Sequence, residues 1–191
     1  MTSQENEWRE PRAWLLEQAS HRDVLAEVTA TWGDTRLEIR WYLGAFRSPL
    51  SLVTSVRAVL FHDRAVMVMQ DRAQTYHVVP GGRREPGESI EATLRREILE
   101  ETGWTVAFHH QLGFAHFRHL TPCPDDYPYP YPDFVHLLFV AEAGEKVAEA
   151  QPGEYEVSAA FRPVDEALGL PLTHEQAALL DAALRVRRQL R

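Results

Sequence analysis

Three glutamates, Glu97, Glu100 and Glu101, fall within five consecutive residues at the end of a stretch with helical signals. Ser89 is an N-cap candidate, Glu91 a favourable first-turn acid and Gly103 a left-handed stop, so the spacing predicts a helix over Ile90–Thr102. The C-terminal end of a helix carries partial negative charge, and each of the three acids opposes it by roughly 0.3–1 kcal/mol. A chain that breaks a local rule three times in one turn does so where function demands it. At about 100° per residue from Glu97, Glu101 lies at about 40° and Glu100 at about −60°, while Ile90, Leu94 and Ile98 lie at about 20°, 60° and 100°. Glu101 is therefore expected to project into the apolar stripe. Two carboxylates about 6 Å apart repel by roughly 3 kcal/mol at an effective dielectric of 20, but by under 1 in water. An acidic solvent face balanced by Arg95 and Arg96 is the plain alternative. Acids that point inward need a cation, and hard oxygen donors without cysteine or a helical histidine pair suit Mg²⁺ or Mn²⁺ rather than zinc.

The elements that must position these acids follow from their surroundings. Tyr76–Val79 reads as a short strand stopped by Pro80-Gly81-Gly82, a loop whose glycines permit close backbone approach. Magnesium keeps waters and takes substrate phosphates as ligands, so a carboxylate cluster beside a glycine loop points to phosphate chemistry. Upstream, Leu52–Phe61 and Ala65–Gln70 read as a buried hairpin turned by His62-Asp63-Arg64. Downstream, Val106–Phe117 reads as a strand with a break at Gly113, and Phe134–Ala141 as a central apolar strand. Gly144–Gly153 reads as an acidic connection, Glu154–Pro163 as a strand and Val164–Leu168 as a short helix. Thr173 with Gln176 resembles a capping box opening a helix over His174–Leu190, with Ala177, Leu180 and Leu184 on one face. Residues 1–47 read as an extension: a helix over Arg12–Ala19 after Pro11, then strands Ala26–Thr31 and Arg36–Tyr42 about a Gly33-Asp34 turn. Ser48-Pro49 separates it from a domain over 48–191, and it would cover a sheet edge, cover substrate or make a homodimer. The fold class is α/β (α+β), a mixed sheet with helices on its faces.

With 191 residues and 45% hydrophobic content the chain can bury the core of one domain plus an extension. A net charge of −8 argues against a nucleic-acid polymer as partner, since phosphate backbones are held by clustered cations. Cys123 is the only cysteine, which excludes an intrachain disulfide or thiolate zinc cluster. No membrane-length apolar run and no signal-peptide pattern occur, so a cytoplasmic location is expected. Between Thr121 and Asp133 stand five prolines and three tyrosines. Such a loop is stiff, and Tyr129 could stack on a base, although tyrosines packed onto the domain are the favoured reading. His109, His110, His116, His119 and His136 read as packing residues rather than ligands.

Gly82, five residues, Glu88, seven residues, then Arg96-Glu97-Ile98, Glu100-Glu101 and Gly103-Trp104 resemble the signature of the Nudix hydrolases at every fixed position. The resemblance implies an α/β/α sandwich and Mg²⁺- or Mn²⁺-dependent hydrolysis of a nucleoside diphosphate linked to another moiety. It implies that Glu97 and Glu101 are principal metal ligands, that Glu100 is a further ligand or water-activating base, and that Gly82 offers its carbonyl. Arg96 and Glu88 would orient the glutamates, and Arg72 matches a position that in relatives often meets substrate phosphate, with an ordinary surface arginine the equal alternative. His77 stands where the family often has tryptophan, and Trp104 where an aliphatic residue is common. The base sometimes lies outside the signature, where Glu154 and Glu156 are candidates, although ordinary strand-edge charge is the favoured reading of both. The N-terminal hairpin is similar to that of ADP-ribose pyrophosphatases, but the downstream proline of that group falls out of register at Pro122. A catalytically silent domain serving as a nucleotide sensor is the alternative; such members lose a glutamate, and here all three stand. An isoprenoid diphosphate isomerase has no second motif to support it.

Overall fold

Leu37, Ile39 and Trp41 alternate with polar neighbours, and this period of two places all three in the core of a strand. The computed structural model describes residues 9–123, 127–150 and 156–190. Helix α1 (Arg9–Ser20) precedes strands β1 (Val24–Trp32) and β2 (Thr35–Leu43), and a 3-10 turn over Leu50–Leu52 leads into β3 (Val53–His62). There follow β4 (Ala65–Asp71), β5 (Tyr76–His77), β6 (Gly81–Arg83), α2 (Ile90–Thr102), β7 (Trp104–His119), β8 (Asp133–Lys146), β9 (Glu156–Pro163), α3 (Val164–Leu168) and α4 (His174–Gln189). The chain divides into two compact units, Met1–Thr54 with Gly113–Leu137, and Ser55–Leu112 with Leu138–Arg191.

In the first unit, β2 pairs antiparallel with β1 on one side and with β7 on the other, from Leu37 opposite His119 to Leu43 opposite Gly113. The helix and hairpin of the extension thus share a unit with residues 113–137. Gly113 does not break β7. A Cβ there would lie 1.9 Å from the Tyr42 carbonyl oxygen, so glycine is what lets the strands approach. Asp133, 1% exposed, accepts from the Arg12 guanidinium at 2.5 Å and pairs with His116 Nε2 at 2.7 Å, which ties α1 to the sheet. In the tyrosine loop, the Tyr131 hydroxyl donates to the Thr121 carbonyl at 3.0 Å, and the Tyr127 hydroxyl lies 3.0 Å from His119 Nε2.

The second unit holds a mixed sheet in the order β7-β8-β3-β4-β5, with β6 paired to β3 and β9 to β4, and with helices packed on it in the α/β/α manner expected. Val56, Leu60, Phe61, Leu94, Ile98, Leu179 and Leu180 are fully buried in its core. Three expectations need correction. The glycine stretch is not a loop but β6, because a bare backbone can lie flat against β3. Strand β8 runs to Lys146 and so takes in the first three residues of what reads as a surface connection over Gly144–Gly153. At α4 the Thr173 hydroxyl turns to Glu175, and Gln176 accepts from the Val78 backbone N–H at 2.9 Å, so no capping box forms. The buried face of α4 is Leu179, Leu180, Ala182, Ala183 and Arg187, with Ala177 exposed. Among the described residues no helix is long and apolar enough to cross a membrane.

Candidate active site

Local signals place α2 where expected. The Ser89 hydroxyl accepts from the Ala92 N–H, and Gly103 adopts a φ of 76° with its N–H bonded to the Leu99 carbonyl at 2.8 Å. The buried face of the helix comprises Thr93, Leu94, Glu97, Ile98 and Thr102. Glu97, only 9% exposed, is the acid that points inward. Glu101 is half-buried beside it, whereas Glu100 is exposed. The angular expectation is thereby corrected: the helix sits rotated so that Glu97, not Glu101, occupies the deepest position, and Glu100 faces solvent.

Strand β6 lies against these acids. The Gly81 N–H donates to Glu101 Oε2 at 2.6 Å, and a Cβ on Gly82 would fall 2.4 Å from Glu97 Oε2 and 2.8 Å from Oε1. The absent side chain at Gly82 is therefore what gives the Glu97 carboxylate its place. From the other side Ser55, buried on β3, donates its hydroxyl to the Gly82 carbonyl at 2.7 Å. A carbonyl oxygen has two lone pairs, so this bond orients the group and leaves one for a cation.

Arg96 ties the acids together. Its Nε and Nη2 grip Glu88 at 2.7 and 2.9 Å, its Nη1 reaches Glu97 at 2.9 Å and Glu100 at 3.1 Å, and its Nη2 also donates to the Arg83 carbonyl at 2.9 Å. Five bonds use the five N–H donors of a guanidinium, so Arg96 orients glutamates and has none left for a substrate. Glu88 accepts in addition from the Glu85 N–H and the Thr93 hydroxyl. The Arg96 fork, joined by these donors, holds the Glu88 carboxyl down to about 2. Glu97 behaves oppositely: burial pushes its carboxyl above the usual range, and Arg96 and Arg57 only partly counter it.

The remaining sequence candidates are not all gathered here. Arg72 lies in the exposed turn after β4. Tyr129 belongs to the first unit, where its ring meets Tyr127 edge-on at 5.4 Å. Glu154 lies outside the described residues, as does the side chain of Glu156, whose backbone pairs with Asp71. His77 sits 3.4 Å from the Asp71 carboxylate. Trp104 packs edge-on to Phe161. Sequence reasoning missed Ser55 and Arg57, although polar residues at period two in a largely apolar strand are a usable signal.

Among the described residues no three His, Cys, Asp or Glu side chains are grouped so that they could hold a metal ion by themselves. Magnesium does not require such a group, since it binds through one or two carboxylates and completes its shell with water and substrate phosphate. Glu97 beside Gly82 and Glu101 beside Gly81, with the Gly82 carbonyl, are hard oxygen donors that could hold an ion in that way. A cation would also relieve the cost of ionising the buried Glu97.

These features define a class: an α/β fold in which a glutamate-bearing helix is laid against a glycine strand. The family model described as NUDIX domain matches residues 51–183, and the chain belongs to that family. A Nudix hydrolase of Bacillus subtilis, itself uncharacterised, is 27% identical over 125 residues, which are 64% of this chain and 73% of that protein. Another B. subtilis protein, provisionally assigned as an 8-oxo-dGTP diphosphatase, is 38% identical over 55 residues, 29% of this chain and only 37% of its own length. Among solved structures, the B. subtilis pyrophosphohydrolase BsRppH superposes with a TM-score of 0.55 at 17% identity, covering 86% of this chain and 97% of that one, a likeness of fold.

Proposed function

We propose that the chain hydrolyses a phosphoric anhydride, cleaving the diphosphate linkage of a nucleoside diphosphate derivative such as a nucleotide sugar, ADP-ribose or a nucleoside triphosphate. The observation that carries this reading is the complete glutamate set, with Glu97 and Glu100 held by a saturated Arg96, Glu101 by the Gly81 N–H, and Glu97 buried against Gly82. Keeping a carboxylate desolvated costs stability, and a domain that only bound a nucleotide would gain nothing from it. Glu97, Glu101 and the Gly82 carbonyl would hold Mg²⁺ or Mn²⁺, with Glu100 a further ligand or the base. When bound, the ion would neutralise diphosphate charge and lower the pKa of a water.

The protein's own residues do the rest. Glu88 and Arg96 fix the direction of Glu97, Ser55 fixes the Gly82 carbonyl, and Glu101 is anchored on the Gly81 N–H. Glu100, exposed and tied to Arg96 through one oxygen, is the acid with solvent at hand to accept a proton. Arg72 would meet substrate phosphate and Tyr129 a base. The working location is the cytoplasm, and the extension would serve substrate coverage or a homodimer.

The test is a panel of nucleotide sugars, ADP-ribose, nucleoside triphosphates, dinucleoside polyphosphates and coenzyme A with Mg²⁺ or Mn²⁺, scored for phosphate-containing products. The partial similarity to a provisionally assigned 8-oxo-dGTP diphosphatase puts triphosphates first in that panel. Turnover of at least one compound is expected, and Glu97→Gln or Glu101→Gln should abolish it while circular dichroism and melting temperature persist. Wild-type rates in either variant would sink the ligand assignment. No turnover of any compound would favour a binding module.

A further inference from the structure

A diphosphate substrate carries more negative charge than a metal alone compensates, and it needs donors from the protein. Within the second unit the cations around the acid centre are largely committed elsewhere. Arg96 spends all five N–H groups on the protein. Arg95 pairs with Glu91 and donates to the Val106 carbonyl at 2.6 Å. Arg84 donates to the Glu88 carbonyl.

Arg57 differs. It stands on β3 directly opposite Gly81, the residue whose N–H holds Glu101, and two positions from Ser55, which holds Gly82. Its side chain runs along β6, since a Cβ on Gly81 would touch its Cγ at 3.1 Å. Its charge reaches Glu97 and favours the ionised form of that carboxyl. Yet among the described residues it makes one hydrogen bond, a long one of 3.3 Å from Nη1 to the Val79 carbonyl, and no ion pair within 4.0 Å. The described buried side-chain atoms without a partner are Thr54 Oγ1 and His119 Nδ1, so the uncommitted nitrogens of Arg57 are open to solvent. A half-buried guanidinium, fixed along its stem and with unused donors beside carboxylates, presents the planar fork that fits phosphate oxygens.

We propose that Arg57 contacts the substrate directly, donating from its guanidinium to non-bridging oxygens of the diphosphate. This rests on the reading of the chain as a diphosphate hydrolase. It makes Arg57 a substrate-binding residue distinct from Arg96, which acts through the glutamates.

The experiment compares wild type with Arg57→Gln and Arg57→Met, the second keeping the apolar stem. It measures KM and kcat on whichever panel compound is hydrolysed, calorimetric binding of inorganic pyrophosphate with Mg²⁺, and binding of Mn²⁺ alone. Loss of the fork should raise KM and weaken pyrophosphate about tenfold or more, the scale of one charge-assisted contact, with kcat within about threefold and Mn²⁺ affinity undiminished. Whichever variant keeps the wild-type melting temperature is decisive. KM and pyrophosphate affinity within twofold of wild type would overturn the proposal. So would a parallel loss of Mn²⁺ affinity, which would mean that Arg57 acts on the glutamates instead. A wild-type protein that neither hydrolyses the panel nor binds pyrophosphate would instead defeat the functional reading itself.

Discussion

Glu97 is a carboxylate that folding removes from water although its position near the end of α2 already opposes the helix dipole. Its place exists because Gly82 has no side chain, whereas Gly81 is glycine for a different reason. At Gly81 the φ of 131° is strained for any other residue, and a Cβ would meet the Val56 carbonyl oxygen at 2.3 Å. The two adjacent glycines should therefore fail differently. Gly82→Ala meets only the movable end of Glu97, so the melting temperature should hold within a few degrees while, if Glu97 holds the metal as proposed, kcat falls about a hundredfold, the cost of a displacement of about 1 Å at the site. Gly81→Ala should lose about 2 kcal/mol or more of stability through backbone strain and overpacking. Thermal melts and kinetics on both proteins check this, and equal loss of stability in the two would refute it. The spacing of Gly82, Glu88, Arg96 and the glutamates was legible in the sequence because the signature lies in one segment. Ser55 and Arg57 were not read, because they reach the site from a strand some forty residues upstream of the acids.

Among the elements, α2 ends where its residues say it should, since Ser89 and Gly103 act on backbone groups within one turn. The start of α4 departs from its local capping pattern because Gln176 accepts from the Val78 N–H, a partner that no local rule anticipates. Helix α1 depends on the same kind of distant partner. Burial alone would raise the Asp133 carboxyl, but hydrogen bonds from His116 and Arg12 outweigh it and bring the group below its ordinary range. A carboxylate whose folded pKa is depressed contributes stability that is present above its unfolded value, about 3.9, and lost as pH falls through the folded one. Acidification below about pH 4 should thus weaken the first unit. Arg12→Met should cost about 1–3 kcal/mol at neutral pH, less than a fully buried pair because the Arg12 side chain is 34% exposed. It should also move acid unfolding to higher pH. Urea melts across a pH series measure both, and an unchanged acid midpoint would remove Arg12 from the network.

At the scale of the whole molecule, residues 1–47 read as an extension, yet Leu37, Ile39, Trp41 and Tyr42 are all buried and β2 pairs along β7. Four such side chains are worth roughly 6–12 kcal/mol of burial, as much as the net stability of a typical domain. A fragment beginning at residue 48 should therefore be insoluble or lack a cooperative unfolding transition, read by calorimetry and gel filtration. A soluble, cooperatively melting fragment would show that the extension is dispensable. The sequence by itself determined the helix that carries the acids, its ends, and the oxygen-rich chemistry those acids imply, because caps, periodicity and signature spacing act within a few residues. Only the tertiary structure decided that Glu97 is the buried member, that Gly81 and Gly82 form a strand rather than a loop, that Arg57 and Ser55 stand opposite them, and that β2 completes the first unit. Each of those outcomes depends on backbone or side-chain pairings between segments tens of residues apart, whose energies no local pattern encodes.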